Sequence, residues 1–423
     1  MKAYLPRIAD EILEDKLESK GAVLITGPKW CGKSTTALQK ARSSVFMQDP
    51  MNQQQNRMLA KANPKLFLQG DVPRLIDEWQ IIPFIWDAIR FEIDQRDEFG
   101  QFILTGSSVP ADDSMIQHSG IGRITRMVMR TMSLYESNDS TGEVSLSDLF
   151  KGTDYIEGIS HKELTDLAFL LCRGGWPKSV GQKEKVALQQ AIDYYDGLIH
   201  SDISRVDGVQ RDSQRVQLLL KSYARNIASQ ASNATIRKDM LQNDQSSLDQ
   251  DTISSYIKAL KKLYVVEDLP AWNPNLRSKT AIRTSDTRHF VDPSIACAAL
   301  GMGPNDFIHD LNTFGLLFES MCIRDLRVYT DKLDGQVYHY RDKDGLEADA
   351  VIHLRNGDWA PIEIKLYDDD LIEEGARNLI RLRDKIDTTK MKNPSFLMVI
   401  TGTPYAYQRD DGVYVVPIAC LKD

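Results

Sequence analysis

The feature that most constrains the fold is a glycine-rich stretch near the amino end of the chain. "LITGPKWCGKSTTAL" (24–38) fits the pattern G-x-x-x-x-G-K-[ST], with Gly27, Gly32, Lys33 and Ser34 at its fixed positions. It follows an apolar run and opens a helical pattern, which is the context that this motif requires. Glycines let backbone amides converge on phosphate oxygens, and a helix N-terminus adds a favourable field. The stretch therefore predicts a phosphate-binding loop.

Each residue of the loop receives a predicted part in nucleotide binding. Lys33 would meet the β- and γ-phosphates, and Ser34 would ligate Mg²⁺. The predicted cofactors are therefore ATP and Mg²⁺. The residues predicted to bind them are Gly27, Pro28, Lys29, Trp30, Cys31, Gly32, Lys33, Ser34 and Thr35.

A second apolar run ends in two acids, in "VPRLIDEWQ". At the carboxyl end of a strand, Asp77 could hold the metal, as this position does in P-loop enzymes. Glu78 could polarise the attacking water as a general base. A solvated strand end is the alternative interpretation. Downstream of a phosphate loop, the acidic pair favours catalysis.

A third strand ends in "FILTGSS", where Thr105 or Ser107 could hydrogen-bond the attacking water or the γ-phosphate. Such residues also end strands for purely local reasons. Behind this strand, "SGIGRITRMVMR" supplies Arg123, Arg126 and Arg130. An arginine opposite the γ-phosphate would stabilise its charge, and Arg123 is the preferred candidate. Whether it acts in its own subunit or a neighbour stays open, as does an ordinary surface salt bridge.

The ordered set of motifs resembles a known group. "GPKWCGKST", "LIDEWQ", "ILTGSS", "GR", "MSLYES" and "RGGWP" are similar to prokaryotic AAA-like ATP-binding proteins with a C-terminal domain of unknown function. The resemblance covers essentially the whole chain. In that family "GGWP" belongs to the helical region after the ATPase core. It would either have a functional role there or form a packing corner, with a Gly-Gly turn followed by Trp-Pro.

Alternating strand and helix patterns predict an α/β protein with several domains. Strands alternating with helices between 21 and 105 imply a parallel sheet covered on both faces. The predicted order is a P-loop NTPase parallel sheet, a helical region, a winged helix and a restriction-endonuclease-like α/β domain. Their predicted bounds are 1–145, 146–230, 231–305 and 306–423.

The winged helix is predicted from "QDTISSYIKALKKLYVVEDLPAW" and the polar loop that follows it. Ile253, Ile257, Leu260 and Leu263 form one helical stripe, followed by a strand, an extended loop and a returning strand. Basic residues outnumber acids between 258 and 288: Lys258, Lys261, Lys262, Arg277, Lys279, Arg283 and Arg288. A recognition helix with a basic wing could contact a DNA duplex. Protein–protein contact and plain surface lysines are the alternatives.

Acids and one lysine share a predicted hairpin in "GLEADAVIHLRNGDWAPIEIKL" (345–366). Alternation puts Glu347 and Asp349 on one face of the first strand, and Glu363 and Lys365 on one face of the next. The pattern resembles the restriction-endonuclease-like motif, in which carboxylates hold Mg²⁺ and the lysine orients the nucleophilic water. Glu319, in the preceding helix, matches the family's helical acid. The predicted nuclease-like site is therefore Glu319, Asp349, Glu363 and Lys365, although two amphipathic strands would also alternate in this way.

Composition indicates the cellular compartment and limits the classes of partner. Five cysteines without a CxxC pair favour a reducing cytoplasm. The sequence contains no run of about 18 apolar residues, so a membrane-spanning helix is not expected. The net charge of −8 does not exclude a local basic groove, because charges act only within roughly 8–10 Å. The expected partners are ATP, DNA or another nucleic acid, and a protein partner or second copy.

Three functions follow. The first is a Mg²⁺-dependent ATPase that couples its nucleotide state to the C-terminal module. The second is an ATP-gated DNA-binding protein or nuclease. The third is an interaction protein that uses ATP as a switch.

Overall fold

The computed structural model describes residues 3–106, 118–153, 155–241, 249–274 and 285–423. The chain forms two compact units. The first comprises Met1–Thr131, His200–Arg211 and Lys258–Tyr264, and the second comprises Met132–Ile199, Asp212–Ile257 and Val265–Asp423. Short segments from the predicted helical and winged-helix regions thus group with the ATPase core. No helix in the described ranges has the length and apolar character that crossing a membrane requires.

The first unit is built on a parallel five-stranded sheet in the order β2-β3-β4-β1-β5. Its elements are α1 (Ile8–Ser19), β1 (Ala22–Thr26), α2 (Lys33–Lys40), β2 (Ser43–Phe46), α3 (Gln53–Ala62), α4 (Pro64–Phe67), β3 (Arg74–Asp77), α5 (Ile85–Arg96), β4 (Phe102–Thr105) and β5 (Ile124–Val128). Apolar side chains fill both faces, as a sheet covered by helices on both sides requires. The predicted parallel sheet is confirmed.

Strand register brings the predicted site residues to one edge. β4 lies between β1 and β3, and Thr105 pairs with Ile25 on one side and with Asp77 on the other. The carboxyl ends of these strands therefore form a single row. The loop after β1 and the acids that end β3 meet at this edge because all the strands are parallel.

The middle of the chain is mainly helical. Its elements are β6 (Val144–Ser145), α6 (Leu146–Phe150), β7 (Gly158–Ile159), α7 (Leu164–Arg173), α8 (Glu184–Gly197), α9 (Ile203–Arg205), α10 (Ser213–Arg225), α11 (Asn233–Leu241) and α12 (Gln250–Lys262). The predicted stripe on α12 is buried at Ile253, Ile257 and Leu260. After α12, antiparallel bridges join Val266 to Phe290 and Leu269 to Thr287.

One basic residue of the predicted wing, Arg288, is paired inside the folded chain. Arg288 is not a solvated cation, because it pairs with the buried Asp268 at 3.0 Å and lies over the ring of Tyr223. Three further basic residues of the prediction lie outside the described residues: Arg277, Lys279 and Arg283. Lys258, Lys261 and Lys262 are exposed on α12.

"RGGWP" forms a buried corner in the second unit. The Gly175 N–H donates to Asp292 at 2.9 Å, and the Trp176 indole N–H donates to Ser294 at 3.0 Å. A Cβ on Gly175 would lie 2.1 Å from the carbonyl oxygen of Met132, so the backbones approach too closely for any side chain. These contacts favour packing over chemistry as the role of this motif.

The C-terminal region contains a mixed seven-stranded sheet in the order β7-β12-β13-β11-β10-β9-β8. Its elements are α13 (Ser294–Leu300), α14 (Pro304–His309), α15 (Leu311–Lys332), β8 (Gly335–Arg341), β9 (Glu347–Leu354), β10 (Trp359–Lys365), α16 (Asp369–Lys385), β11 (Met398–Thr401), β12 (Tyr405–Gln408), β13 (Tyr414–Pro417) and β14 (Leu421–Lys422). The predicted hairpin is confirmed, because β9 and β10 pair antiparallel. β7 and β6 also pair with β12 and β14, so this region recruits strands from before the predicted boundary at 306.

Candidate functional site

The loop after β1 has a backbone that only glycine adopts readily at two positions. Gly27 has φ 146° and Gly32 has φ 103°, both in the range that disfavours side chains. A Cβ on Gly27 would lie 2.1 Å from the carbonyl oxygen of Met129. Trp30 also has a positive φ of 66°, and its side chain is half exposed. The two fixed glycines of the motif are therefore required by the loop's own geometry.

Arg7 holds the phosphate loop in place through two hydrogen bonds. Its guanidinium donates to the carbonyl oxygens of Cys31 and Arg130, each at 2.9 Å, and its side chain is buried. The buried Cys31 thiol donates to the Met129 carbonyl oxygen at 3.3 Å. The loop is thus tied to the carboxyl end of β5. The sequence does not identify Arg7, because an arginine before a helix carries no motif.

Two lysines of the loop make defined contacts. The Lys33 ammonium donates to the carbonyl oxygens of Gly27 at 3.0 Å and Pro28 at 2.7 Å, so it lies inside the loop. Lys29 forms an ion pair of 2.5 Å with Asp202, in the segment His200–Arg211 of the same unit. Sequence reasoning missed Asp202, because nothing in its local pattern connects it to a loop so distant in the chain.

Asp77 is the centre of the acidic half of the site. Its Oδ1 accepts hydrogen bonds from the Ser34 hydroxyl at 2.5 Å and from the Thr105 hydroxyl at 2.6 Å. The side chains of Asp77 and Thr105 are both buried. Thr105 therefore orients Asp77 in this structure, whereas the sequence predicted a contact with water or phosphate. Ser107, the alternative to Thr105, lies outside the described residues.

Glu78 follows Asp77 in a left-handed backbone conformation, with φ 56°. Non-glycine residues rarely adopt this conformation, and those that do cluster at functional sites. Burial raises the pKa of the Glu78 carboxyl, while a hydrogen bond from Gln80 and the positive charge of Lys33 partly lower it. A carboxylate whose pKa is raised towards neutrality is suited to take up a proton. Gln80 ends the stretch "VPRLIDEWQ", but its local sequence does not indicate a role for it.

Arg123 lies at the wrong edge of the sheet to act within its own unit. It precedes Ile124, which pairs with Ala22 at the amino ends of β5 and β1, whereas the phosphate loop follows the carboxyl end of β1. Its guanidinium pairs with Asp94 at 2.7 Å on the surface. Of the alternatives that the sequence leaves open, this position favours an ordinary surface salt bridge. Action in a neighbouring copy stays a prediction.

The residues present fit Mg²⁺ and a triphosphate. The N-cap of α2 is Gly32, which supplies no side-chain cap, so the first-turn amides are available to an anion. Ser34 and Asp77 offer the hard oxygen donors that Mg²⁺ prefers. Within the described ranges, no group of three His, Cys, Asp or Glu side chains forms a metal site. A site completed by substrate phosphates, with one carboxylate and one hydroxyl from the protein, agrees with that finding.

A second cluster lies in the C-terminal region. The Lys365 ammonium lies 2.6 Å from Glu363 and 3.3 Å from Asp349, and the Ile364 N–H donates to Asp349 at 2.7 Å. Glu319 of α15 lies near enough to this group for the charges of Asp349 and Lys365 to shift its pKa. The structure thus brings together the four residues of the predicted nuclease-like site. Their predicted roles are not tested by this arrangement.

Charge in this cluster is unevenly balanced, with three acids around one lysine. Burial and the neighbouring Asp349 raise the pKa of both Glu319 and Glu363 well above the ordinary range of glutamate. Burial lowers the pKa of Lys365, but Asp349 and Glu363 outweigh it and raise that pKa overall. The lysine neutralises part of the acidic charge.

Comparison with known families agrees with the amino-terminal geometry. Residues 19–138 match the family model described as AAA domain, and this match supports an AAA-like ATPase over that range. Residues 164–306 match a domain of unknown function (DUF8612), and residues 314–421 match another (DUF4143). The last match agrees with a C-terminal domain of unknown function, and it does not establish a nuclease fold. None of the curated proteins matches this chain.

Two solved structures are similar at low identity. The Walker-type ATPase of Pyrococcus abyssi is 14% identical, with 70% of this chain and 96% of that chain covered and a TM-score of 0.42. A signal transduction ATPase with numerous domains and a tetratricopeptide repeat sensor, from Pyrococcus horikoshii, is 12% identical, with a TM-score of 0.22. The match covers 79% of this chain and 50% of that protein. At these scores neither structure bears on the chemistry of this chain.

Proposed function

We propose that this protein binds Mg²⁺ and ATP and hydrolyses ATP at the carboxyl edge of its parallel sheet. The observation that carries the proposal is the convergence of the Ser34 and Thr105 hydroxyls on Oδ1 of Asp77, at 2.5 Å and 2.6 Å, beside the phosphate loop. Ser34 and Asp77 come from separate elements, and both types of oxygen are Mg²⁺ ligands. The adjacent Glu78 supplies a base.

Each residue has a defined part in the reaction. The loop amides and Lys33 hold the phosphates, while Ser34 and Asp77 hold the metal. Bound Mg²⁺ would neutralise phosphate charge. Glu78 takes a proton from a water as the water oxygen bonds to the γ-phosphorus and the bond to the β-phosphate oxygen breaks. The products are ADP and inorganic phosphate, and the proton then leaves Glu78 to solvent.

The test compares ATP turnover by the wild type and by Glu78→Gln. We expect the wild type to turn over ATP and the variant to bind ATP with little turnover, because general-base loss costs roughly 10²–10⁴-fold. Gln189→Met is a matched control, since Gln189 is exposed on α8 of the second unit and its amide donates to Asp193 at 2.9 Å. Equal rates for wild type and Glu78→Gln would contradict the proposal. Tight binding with very slow turnover in the wild type would favour an ATP-switched interaction protein.

A second candidate function is an ATP-gated nuclease or DNA-binding module. We infer it from the meeting of Glu319 on α15 with Asp349, Glu363 and Lys365 on the β9–β10 hairpin. The order of α15, β8 to β10, α16 and β11 supports a restriction-endonuclease-like domain. Three helices followed by antiparallel bridges, with exposed lysines on α12, support a winged helix. In the described part of this cluster the carboxylates contact lysine and form no three-residue metal site.

This candidate is tested by cleavage and by ATPase stimulation. Cleavage of a DNA and RNA panel that disappears in Lys365→Ala would support a nuclease, and silence across substrates and metals would contradict it. Stimulation of the ATPase by DNA or RNA would connect the nucleotide state to the C-terminal module. Exposed Glu374 on α16 provides a matched control as Glu374→Gln.

A further inference from the structure

Gln80 contacts the proposed general base directly. It lies in the 3-10 turn Trp79–Ile81, whose N-cap is Glu78. The left-handed conformation of Glu78 begins this tight turn, and the turn brings the two side chains together. The Gln80 side-chain amide Nε2 donates a hydrogen bond to Oε2 of Glu78. One carboxylate oxygen of Glu78 is thus fixed by its neighbour.

The oxygen of the same amide, Oε1 of Gln80, is buried and accepts no hydrogen bond from the described residues. It lies beside Gly106, where an added Cβ would come within 2.6 Å of it. Gly106 follows Thr105 at the carboxyl edge of β4, so this acceptor lies at the same edge as Asp77. A buried acceptor without a partner costs about 1–3 kcal/mol, and such groups usually bind a water or ligand.

We propose that Gln80 is a second residue that orients the attacking water, with its amide nitrogen fixing Glu78 and its amide oxygen accepting one hydrogen of that water. The water then gives its other proton to Glu78, and its lone pair is left free for the phosphorus. The inference rests on the proposed ATP hydrolysis, and it adds a named residue to it. Gln80 contacts a reacting molecule in this scheme, so it is a catalytic residue.

The alternative role for Gln80 is structural, as a polar residue that only stabilises the turn. The two roles differ in their effect on the chemical step. Loss of a residue that holds the attacking water slows this step and leaves the ATP affinity and the thermal stability close to those of the wild type. Loss of a residue that only stabilises the turn lowers thermal stability and leaves the rate of the folded enzyme unchanged.

The experiment uses two variants of similar length, Gln80→Met and Gln80→Glu, in the full chain. Methionine removes the donor and the acceptor, and glutamate replaces the donor by a second acceptor, so both variants are informative if one folds poorly. Gln189→Met, on the exposed face of α8 in the second unit, serves as the control. The readouts are the single-turnover rate at saturating Mg²⁺–ATP, the ATP affinity and the thermal stability of each variant.

We expect a rate loss of roughly 10–100-fold with unchanged ATP affinity, because misplacement of a reacting group costs about this much. Wild-type rates in both variants would overturn the proposal, as would a rate loss that only accompanies a loss of thermal stability. If the wild type itself does not hydrolyse ATP, the proposed function fails, whereas a wild type that hydrolyses ATP beside two unimpaired Gln80 variants overturns only the role of Gln80.

Discussion

The Ser34 hydroxyl lies 2.5 Å from Oδ1 of Asp77, and this contact joins the phosphate loop to the acids that end β3. The two residues are 43 positions apart in sequence, and β4 lies between β3, which ends at Asp77, and β1, which precedes the phosphate loop. Thr105, on β4, donates to the same oxygen at 2.6 Å. A metal ion bound between Ser34 and Asp77, in place of this hydrogen bond, would lie next to the triphosphate.

The pH dependence of ATP turnover should report the environment of Glu78. Burial raises the pKa of this carboxyl above the ordinary value of 4.5. A general base acts only when ionised, so kcat/KM should rise with pH through a midpoint above 4.5. The measurement is kcat/KM from acidic to mildly alkaline pH. ATP affinity of Glu78→Gln over the same range corrects for ionisation of the substrate, and a rate already at its plateau near 4.5 contradicts the prediction.

Replacing Arg123 by alanine should leave turnover unchanged. Its guanidinium pairs with Asp94 at the amino edge of the sheet, away from the loop. The measurement is the ATPase rate of the wild type and of Arg123→Ala over a wide range of protein concentration, with Lys33→Ala as the inactive control. A wild-type rate that rises with concentration, and is lost in Arg123→Ala, would instead establish an arginine supplied by a neighbouring copy.

The stability of the C-terminal region should fall as pH rises from mildly acidic to neutral. The pKa values of Glu319 and Glu363 are raised by burial and by Asp349, so the folded chain holds protons that the unfolded chain has released. Stability is therefore complete below the ordinary glutamate pKa and is lost as pH rises through the folded values. Urea unfolding followed across pH measures this slope.

Variants separate the contributions to that slope. Glu319→Gln and Glu363→Gln should each flatten it, because each removes one raised carboxyl pKa. Lys365→Met should steepen it, since Lys365 lowers the pKa of both glutamates. The exposed Glu374→Gln is the control on α16, and an identical slope in all variants contradicts the assignment.

Two glycines in the second unit make a matched pair for packing. A Cβ on Gly175 would meet the Met132 carbonyl oxygen at 2.1 Å, whereas a Cβ on Gly197, at the end of α8, meets nothing within 4 Å. Gly175→Ala should destabilise the chain by about 1–3 kcal/mol through overpacking. Gly197→Ala should be neutral or slightly stabilising, since alanine favours helix. Equal melting temperatures for the two variants would contradict the account of this corner.

The parts of the site that sequence predicts are those with local patterns. The strand–loop–helix context of Gly27 to Ser34 and the acids after β3 are visible because each motif lies within one short stretch. Parallel strands then bring the stretches to one edge. The β9–β10 hairpin is predicted for the same reason, because its turn and alternation are local.

The missed residues depend on tertiary structure. Arg7 and Asp202 support the loop from positions that no spacing rule connects to it. Arg123 is a candidate for the nucleotide site because motif order does not reveal strand register. Arg288 counts among the basic residues of the predicted wing because its pairing with Asp268 forms only in the folded chain.

Calorimetric titration with ATP, with and without Mg²⁺, tests the central claim most directly. The account predicts that the wild type binds ATP more tightly with Mg²⁺, and that Asp77→Asn loses roughly 10–100-fold of this Mg²⁺-dependent gain. Lys33→Ala should weaken binding under both conditions. Absence of nucleotide binding by the wild type, or a Mg²⁺ effect in Asp77→Asn equal to that of the wild type, would contradict the claim that the loop and Asp77 share one metal–nucleotide complex.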